Sequence, residues 1–195
     1  MAHTLELYWD FSSPFAYLGS VQAEALAART GATLEWRPML LGAVFKAIGV
    51  ADAPILTWSD AKRNYYFKDL TRWAAHLSVP FKFPSRFPMS SVKPLRVWFA
   101  LPEARRAAFR DATFRAYWGD DRDISDEGTL RQLIGDDADE VLARCATKEV
   151  KDALFAATQR AIDAGVFGAP TWIVDGKDLF WGQDRVVLVE QALRA

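Results

Sequence analysis

The segments with strand-like patterning lie at the two ends of this chain, and a long helical stretch separates them. Residues 5–9 begin by alternating apolar and polar positions, and Thr33–Arg37 continues this pattern after one helix, as half-buried strands do. Near the other end, Thr171–Val174 and Asp178–Trp181 flank an Asp-Gly-Lys turn and predict a β-hairpin. Because an isolated hairpin is only marginally stable, we expect both ends to combine into one α/β sheet.

Helical signals account for most of the remaining residues. A first helix is expected after Ser13, with apolar residues at helical spacing until Gly31 stops it. Further helices are predicted, between proline and glycine boundaries, around residues 65–77 and at 92–101, 103–118, 127–134, 140–145 and 149–164. We therefore predict a discontinuous β-containing domain, 1–41 with 166–195, interrupted by an all-helical insertion, 42–165.

Two expectations concern buried helix faces. The last helix is predicted to begin at Asp184, and its inward face to contain Val187, Leu188, Gln191 and Ala192. In the helix around residues 65–77, the aromatic residues predicted to lie in the core are Tyr65, Tyr66, Phe67 and Trp73.

Charge and composition exclude several classes of function. A net charge of −1, from 24 basic and 25 acidic residues, gathers neither phosphate backbones nor anionic lipid, so nucleic acid and membrane are not expected partners. Apolar stretches such as Pro38–Phe45 are far shorter than the roughly 20 residues that span a bilayer. The N-terminal residues do not resemble a secretion leader, and we expect a soluble, cytoplasmic protein. One cysteine and two histidines exclude an internal disulfide and predict no metal site.

Ser13 stands where the first strand meets the first helix, directly before Pro14. Serine is a favoured N-cap residue and proline a favoured first helical residue, so the pair can be a helix start and nothing more. A helix start also presents unsatisfied N–H groups and partial positive charge, which stabilise a thiolate or a carboxylate. The Ser13 hydroxyl could donate one more hydrogen bond there, with Ser12 as a rival donor. Both interpretations stay open.

Two further motifs border the C-terminal hairpin. Phe167-Gly-Ala-Pro170-Thr171 leads into its first strand, and by itself it is typical of an ordinary turn. Trp181-Gly-Gln-Asp184-Arg185 follows its second strand. Asp184 could cap the last helix, or it could bind a ligand ammonium group while nearby backbone N–H groups bind a carboxylate. The two roles are compatible.

In their order along the chain, these motifs resemble the 2-hydroxychromene-2-carboxylate isomerases and their relatives, the kappa-class glutathione transferases. The resemblance extends over nearly the whole chain and rests on Asp10–Leu18, Lys62 ahead of Asp69-Leu70, Phe167–Thr171 and Trp181–Arg185. It implies a thioredoxin-like α/β fold, βαβ before the helical insertion and ββα after it, with a cis-proline loop at Pro170. Ser13 and Ala16 stand where thioredoxin-like disulfide oxidoreductases carry the cysteines of Cys-x-x-Cys.

The resemblance also implies a glutathione site. The serine that matches Ser13 donates a hydrogen bond to the sulfur of bound glutathione in that family, which makes Ser13 the expected catalytic residue. The residues expected to bind the rest of the tripeptide are Lys62, Ala169, Pro170, Gln183 and Asp184. Without the resemblance, Lys62 is an ordinary solvated lysine on an amphipathic helix. The chain departs from the family at Ser12, where an apolar residue is common, and at Gln183, where Asn or Ser is usual.

The activity that the resemblance implies is a glutathione-dependent isomerisation. The glutathione thiolate would add to a 2-hydroxychromene-2-carboxylate or its ring-opened benzylidenepyruvate, allow rotation about the former double bond, and leave again. Arg86 and Arg96 are candidate cations for the substrate carboxylate, although each is also interpretable as an ordinary surface arginine. Because family relatives are homodimers, a homodimer is expected.

Other functions share this fold. A kappa-type transferase or peroxidase would use the same site to conjugate an electrophile or reduce a peroxide. A non-catalytic protein would bind glutathione or a peptide without turnover. A dithiol oxidoreductase is excluded, because it needs cysteines at the positions of Ser13 and Ala16. Cys145 lies in a helical pattern and is expected to be a buried small hydrophobe.

Overall fold

A computed structural model describes residues 3–50 and 54–195. Within them, four β-strands and nine α-helices follow in the order β1 (Thr4–Trp9), α1 (Pro14–Thr30), β2 (Thr33–Pro38), α2 (Leu41–Ala47), α3 (Asp60–His76), α4 (Val92–Ala100), α5 (Glu103–Trp118), α6 (Glu127–Ile134), α7 (Ala138–Cys145), α8 (Lys148–Asp163), β3 (Thr171–Val174), β4 (Asp178–Trp181) and α9 (Val186–Ala192). Short 3₁₀ helices lie at Pro54–Thr57 and Gln183–Arg185. The predicted α/β class, βαβ and ββα around a helical region, is confirmed.

One mixed sheet joins the two ends of the chain. Its strand order is β2-β1-β3-β4; β1 pairs with β2 in parallel and with β3 antiparallel, and β4 completes the hairpin with β3. Tyr8 of β1 lies opposite Thr171 of β3. This register brings the end of β1, from which α1 departs, beside the start of β3.

Helix α1 packs closely on the start of β3 because it has a glycine at the contact. A Cβ added at Gly19 would lie 2.9 Å from Cγ of Pro170 and 3.5 Å from Cζ2 of Trp172. A side chain at this position would force the helix and the Pro170 loop apart, although alanine is the better helix former in isolation. The sheet core beneath includes Leu7, Trp9 and Trp172, all fully buried.

The chain divides into two compact units, Met1–Asp52 with Ala157–Ala195, and Ala53–Ala156. The first unit contains the whole sheet with α1, α2 and α9, and the second contains α3 to α7. Aromatic residues pack in the core of the second unit around Trp118, which is fully buried. The ring of Phe81 stacks on it at 6.2 Å, and that of Tyr117 meets it edge to face at 4.7 Å.

The predicted inward face of the last helix is wrong. Val187 and Leu188 are 65% and 46% exposed, whereas Val186, Val189 and Leu193 are buried. The helix was expected to start at Asp184, but the 3₁₀ helix at Gln183–Arg185 precedes it and α9 starts at Val186. A 3₁₀ helix has three residues per turn instead of 3.6. The 3₁₀ helix before α9 therefore changes which residues of α9 face the sheet.

The predicted aromatic core of α3 is also wrong in part. Tyr65 is 61% exposed and Phe67 is 36% exposed. The buried residues of this helix are Leu70 and Ala74, which are four residues apart and therefore share one narrow stripe. Counting back four residues from Leu70 along the stripe leads to position 66. Tyr65 and Phe67 lie on either side of that position and therefore beside the stripe.

Candidate functional site

Ser13 caps the first helix, as its sequence context predicts. Its backbone is extended, with φ −102° and ψ 119°, and its Oγ accepts a hydrogen bond of 3.1 Å from the N–H of Ala16. Pro14 occupies the first helical position. The side chain is almost fully buried, so the hydroxyl lies inside the protein surface and not in bulk water.

The same hydroxyl bridges to the loop before β3. Ser13 Oγ donates to the carbonyl oxygen of Ala169 at 2.9 Å, across 156 residues of sequence. The Ala169–Pro170 peptide bond is cis, as the resemblance implied. The first two sequence motifs therefore meet at this contact. Because a hydroxyl carries one proton, the Ser13 proton is committed to Ala169 in this arrangement.

The loop from Gly168 to Pro170 is held in place by its neighbours. Thr171 Oγ1 donates to the Gly168 carbonyl at 2.8 Å, and the N–H of Gly182 donates to the Pro170 carbonyl at 3.0 Å. The N–H of Ala169, in contrast, has no acceptor among residues 3–50 and 54–195. The N–H of Ala169 is thus an unused backbone donor in a fixed loop beside the Ser13 hydroxyl.

The two predicted site residues in the turn after β4, Gln183 and Asp184, differ in the exposure of their side chains. Gln183 is 2% exposed, and Gln22 Nε2 donates to its Oε1 at 3.3 Å and to its carbonyl at 3.1 Å. Asp184 remains partly exposed, and its carboxylate accepts from Arg185 at 3.0 Å. The side chain of Asp184 does not cap a helix. Of this pair, only Asp184 offers its side chain to solvent.

Sequence reasoning missed Gln22. This residue of α1 also donates to the Leu18 carbonyl at 2.9 Å, so one amide group ties the helix to the Gln183 turn. The sequence contains a feature that could have identified Gln22. This residue lies four positions from both Leu18 and Leu26 and so occupies the apolar stripe of α1. A polar residue in such a stripe indicates a buried partner.

Asp10 was also missed, although it fixes the turn that leads into Ser13. Its carboxylate is fully buried; Oδ1 accepts from the N–H of Ser12 at 2.9 Å and Oδ2 from the N–H of Leu41 at 2.7 Å. Its carbonyl accepts from the N–H of Ser13 at 3.2 Å. An acidic residue at the end of a buried strand was the available signal, since a buried carboxylate needs partners.

Lys62 and the two arginines belong to the second unit. Lys62 is exposed in the first turn of α3, with Nζ 4.0 Å from the ring centroid of Trp58, a cation–π contact. Arg86 forms an ion pair with Asp123 at 2.8 Å. The Nε of Arg96 is buried and has no hydrogen-bond partner in the part of the chain that the structure describes.

A polar cavity of about 560 Å³ also lies in the second unit. It is lined by residues of the 84–86 segment and the 117–129 region. Its carboxylates already have partners: Asp121 accepts from Ser85 and pairs with Lys82, and Asp123 accepts from Ser125. These hydrogen bonds hold the pKa of both carboxyl groups below the ordinary value. The cavity is therefore a network of satisfied groups. Its lining includes Arg86, one of the two candidate cations, but none of the residues predicted to bind glutathione.

No group of three or more His, Cys, Asp or Glu side chains within 3–50 and 54–195 is placed to bind a metal ion. In the same residues, no helix has both the length and the apolar character that crossing a bilayer requires.

Cys145 is a buried residue of α7, as expected. Burial raises the pKa of its thiol to about 11. We expect on the order of 0.1% or less of it to be thiolate at pH 7.5, so an aromatic disulfide reagent should not label the folded protein while it labels a peptide thiol fully. Labelling should become complete in urea. Rapid labelling of the folded protein would contradict the burial of this thiol.

The geometry of the first unit suits one kind of ligand. The Ser13 hydroxyl at a helix start, the unused Ala169 N–H and the exposed Asp184 carboxylate all lie at the ends of β1, β3 and β4. A helix start favours an anionic group, and a free N–H pairs with an extended peptide. The arrangement can therefore bind a short peptide that carries a negative group near Ser13.

Comparisons with known proteins agree with this geometry. The family described as DSBA-like thioredoxin domain matches residues 4–194. A 2-hydroxychromene-2-carboxylate isomerase of Sphingobium xenophagum is 34% identical over 99% of both chains. Human glutathione S-transferase kappa 1 is 27% identical over 99% of this chain and 92% of its own. A solved structure of a 2-hydroxychromene-2-carboxylate isomerase covers 97% of this chain and 94% of its own, with a TM-score of 0.83 and 28% identity.

Proposed function

Because the chain belongs to the DSBA-like thioredoxin family, and within it to the group of 2-hydroxychromene-2-carboxylate isomerases, we propose that it is a glutathione-dependent isomerase. Its substrates would be 2-hydroxychromene-2-carboxylates or the ring-opened hydroxybenzylidenepyruvates. The observation that supports the proposal is the contact between Ser13 and Ala169, in which a hydroxyl donor at the helix start lies next to the cis-proline loop.

Glutathione fits the residues around this contact. The Ala169 N–H lacks an acceptor in the described residues and can pair with the cysteinyl backbone of a bound tripeptide. The partly exposed Asp184 carboxylate can bind the ammonium group of the γ-glutamyl end. Gln183 is buried against Gln22 and would act by holding the turn that carries Asp184. When bound, glutathione supplies a thiolate that adds reversibly to the conjugated double bond of the substrate.

Ser13 would stabilise the charged form of that sulfur. To do so, its hydroxyl proton must leave the Ala169 carbonyl, since the hydroxyl has no second proton. A hydrogen bond to a charged acceptor contributes about 1.5–3 kcal/mol, whereas one between neutral groups contributes about 0.5–1.5 kcal/mol. Replacing the hydrogen bond to the Ala169 carbonyl by one to the sulfur is therefore favourable when the sulfur is a thiolate, and not when it is a neutral thiol. The Ala16 N–H still donates to Ser13 Oγ and keeps it at the helix start.

Three parts of the proposal rest on the resemblance alone. They are the contribution of Lys62 to glutathione binding, the homodimer and the cytoplasmic location. A Lys62→Met variant tests the first, since it removes the charge from an exposed side chain and should weaken glutathione binding if the lysine takes part.

The test follows isomer composition and glutathione together. We expect the protein to bring a mixture of 2-hydroxychromene-2-carboxylate and hydroxybenzylidenepyruvate to the same equilibrium from either side, only when glutathione is present, with the glutathione concentration unchanged. Ultraviolet absorbance reports the isomers and a thiol assay reports glutathione.

Two results would contradict the isomerase. Consumption of glutathione in proportion to an electrophile, without isomer exchange, would indicate the kappa-type transferase. Glutathione binding by calorimetry without turnover of either substrate would indicate a binding protein.

A further inference from the structure

Two large aromatic side chains lie exposed beside the Ala169 loop. Trp181, the last residue of β4, is 52% exposed, and Phe167, three residues before Pro170, is 42% exposed. Their ring centroids are 5.2 Å apart with the planes inclined at 56°. Single exposed apolar residues are common on protein surfaces, whereas a contiguous aromatic pair offers a surface on which another aromatic ring can stack.

The backbone and one glycine fix the position of this pair. Trp181 lies opposite Thr171 in the sheet, and its indole rests on Gly168, where an added Cβ would overlap the indole nitrogen. Gly168 is the residue before Ala169, whose carbonyl accepts from Ser13. The aromatic pair therefore adjoins the residues proposed to bind the reacting sulfur.

The exposed surface that Trp181 offers is that of an aromatic ring. Its indole nitrogen lies against Gly168, 2.3 Å from the place that a Cβ there would take, while 52% of the residue is exposed. A planar aromatic ring complements such a surface, because it can stack on the indole and contact the edge of Phe167. An aliphatic ligand would leave this stacking unused.

We propose that Trp181 and Phe167 form the subsite for the aromatic ring of the substrate, a planar hydroxyaryl carboxylate. The inference rests on the proposed function for the identity of that substrate. It assigns to Trp181 direct contact with the ring, and to Gly168 the space that lets the indole lie against the loop. Glutathione binding stays with the residues proposed for it above, Ser13, Ala169 and Asp184 among them.

The first test needs no glutathione. Tryptophan fluorescence of the protein is titrated with trans-o-hydroxybenzylidenepyruvate and, separately, with pyruvate as the ring-free probe. Trp181→Phe keeps a ring, Trp181→Leu keeps only apolar volume, and Val187→Ala, which changes another exposed apolar residue of the same unit, is the matched control. Circular dichroism verifies that each variant is folded.

We expect Trp181→Leu to weaken binding of the aromatic ligand about tenfold, Trp181→Phe to weaken it less, and Val187→Ala to leave it unchanged. Calorimetry then measures glutathione binding, which should change less than twofold in all three variants. In turnover, Trp181→Leu should raise the KM for the aromatic substrate with little change in kcat.

Equal affinity of Trp181→Leu and the unchanged protein for the aromatic ligand would overturn the inference, whether or not the protein isomerises. A parallel loss of glutathione affinity would also overturn it, because Trp181 would then position the loop instead of binding the ring. Absence of isomerase activity in the unchanged protein would refute the proposed function but not the subsite, which the titration decides on its own. If Trp181→Leu does not fold, Trp181→Phe and Phe167→Leu provide the same comparison.

Discussion

Replacing Ser13 with alanine should raise the pKa of the thiol of bound glutathione by about one unit. The hydroxyl gains a bond to the thiolate but gives up its bond to the Ala169 carbonyl, so the net preference for the charged sulfur is about 1.4 kcal/mol. Because the variant raises the pKa, the acidic limb of the pH–rate profile should move to higher pH. At pH values well below both pKa values the rate should fall about tenfold, and at high pH the two proteins should converge.

Ultraviolet absorbance of the thiolate, titrated against pH in the complex, measures this pKa. Cys145 does not interfere, because burial raises its own pKa to about 11. Ser12→Ala is the matched control, since it removes the neighbouring hydroxyl without removing the cap. Ser13→Ala also removes the acceptor of the Ala16 N–H, which should lower the stability of that variant by about 1 kcal/mol. An unchanged thiol pKa in Ser13→Ala, with glutathione bound, would remove Ser13 from its proposed role.

Replacing Asp10 with alanine should destabilise the protein by about 3 kcal/mol. The substitution deprives the N–H groups of Ser12 and Leu41 of their buried acceptors, and each unsatisfied donor costs about 1–3 kcal/mol. For a chain of this length, the Tm should fall by about 10 °C. Glutathione binding should weaken as well, since the turn that Asp10 fixes leads directly into Ser13.

Urea unfolding followed by circular dichroism measures the stability change. Asp178→Ala is the control, because this carboxylate is exposed on β4 of the same unit. The stability of Asp10→Asn should lie between those of Asp10→Ala and Asp178→Ala. Its amide oxygen can accept from one N–H group, while its NH₂ group opposes the other. A stability for Asp10→Ala within about 0.5 kcal/mol of the Asp178→Ala value would show that these hydrogen bonds contribute little.

The parts of the fold that depend on local sequence could be predicted. The Ser13-Pro14 start of α1 is determined by the conformational preferences of two residues. The bounds of α5, α6, β3 and β4 follow from periodicity between prolines and glycines. The union of both chain ends in one sheet followed from the instability of either end alone.

The parts of the fold and of the site that depend on tertiary packing could not be predicted from the sequence. The sequence of α9 does not reveal that a 3₁₀ helix would delay its start and expose Val187 and Leu188. Similarly, Gln183 was expected to offer its side chain to a ligand, but Gln22 binds it from another element. The orientation of a side chain in a turn depends on neighbours that are distant in sequence, and a single sequence does not identify them.

The union of the two chain ends has a consequence for biosynthesis. Strand β1 pairs with β3 through contacts such as Tyr8 with Thr171, and the Ser13–Ala169 bond joins residues 156 positions apart. Pairing over such separations is slow, since a long loop must close first. A ribosome-bound chain can fold residues 53–156 while β1 still lacks its partner. The candidate site is therefore assembled last, and a nonsense codon before Ala169 would remove both the cis-proline loop and the β3–β4 hairpin that completes the sheet.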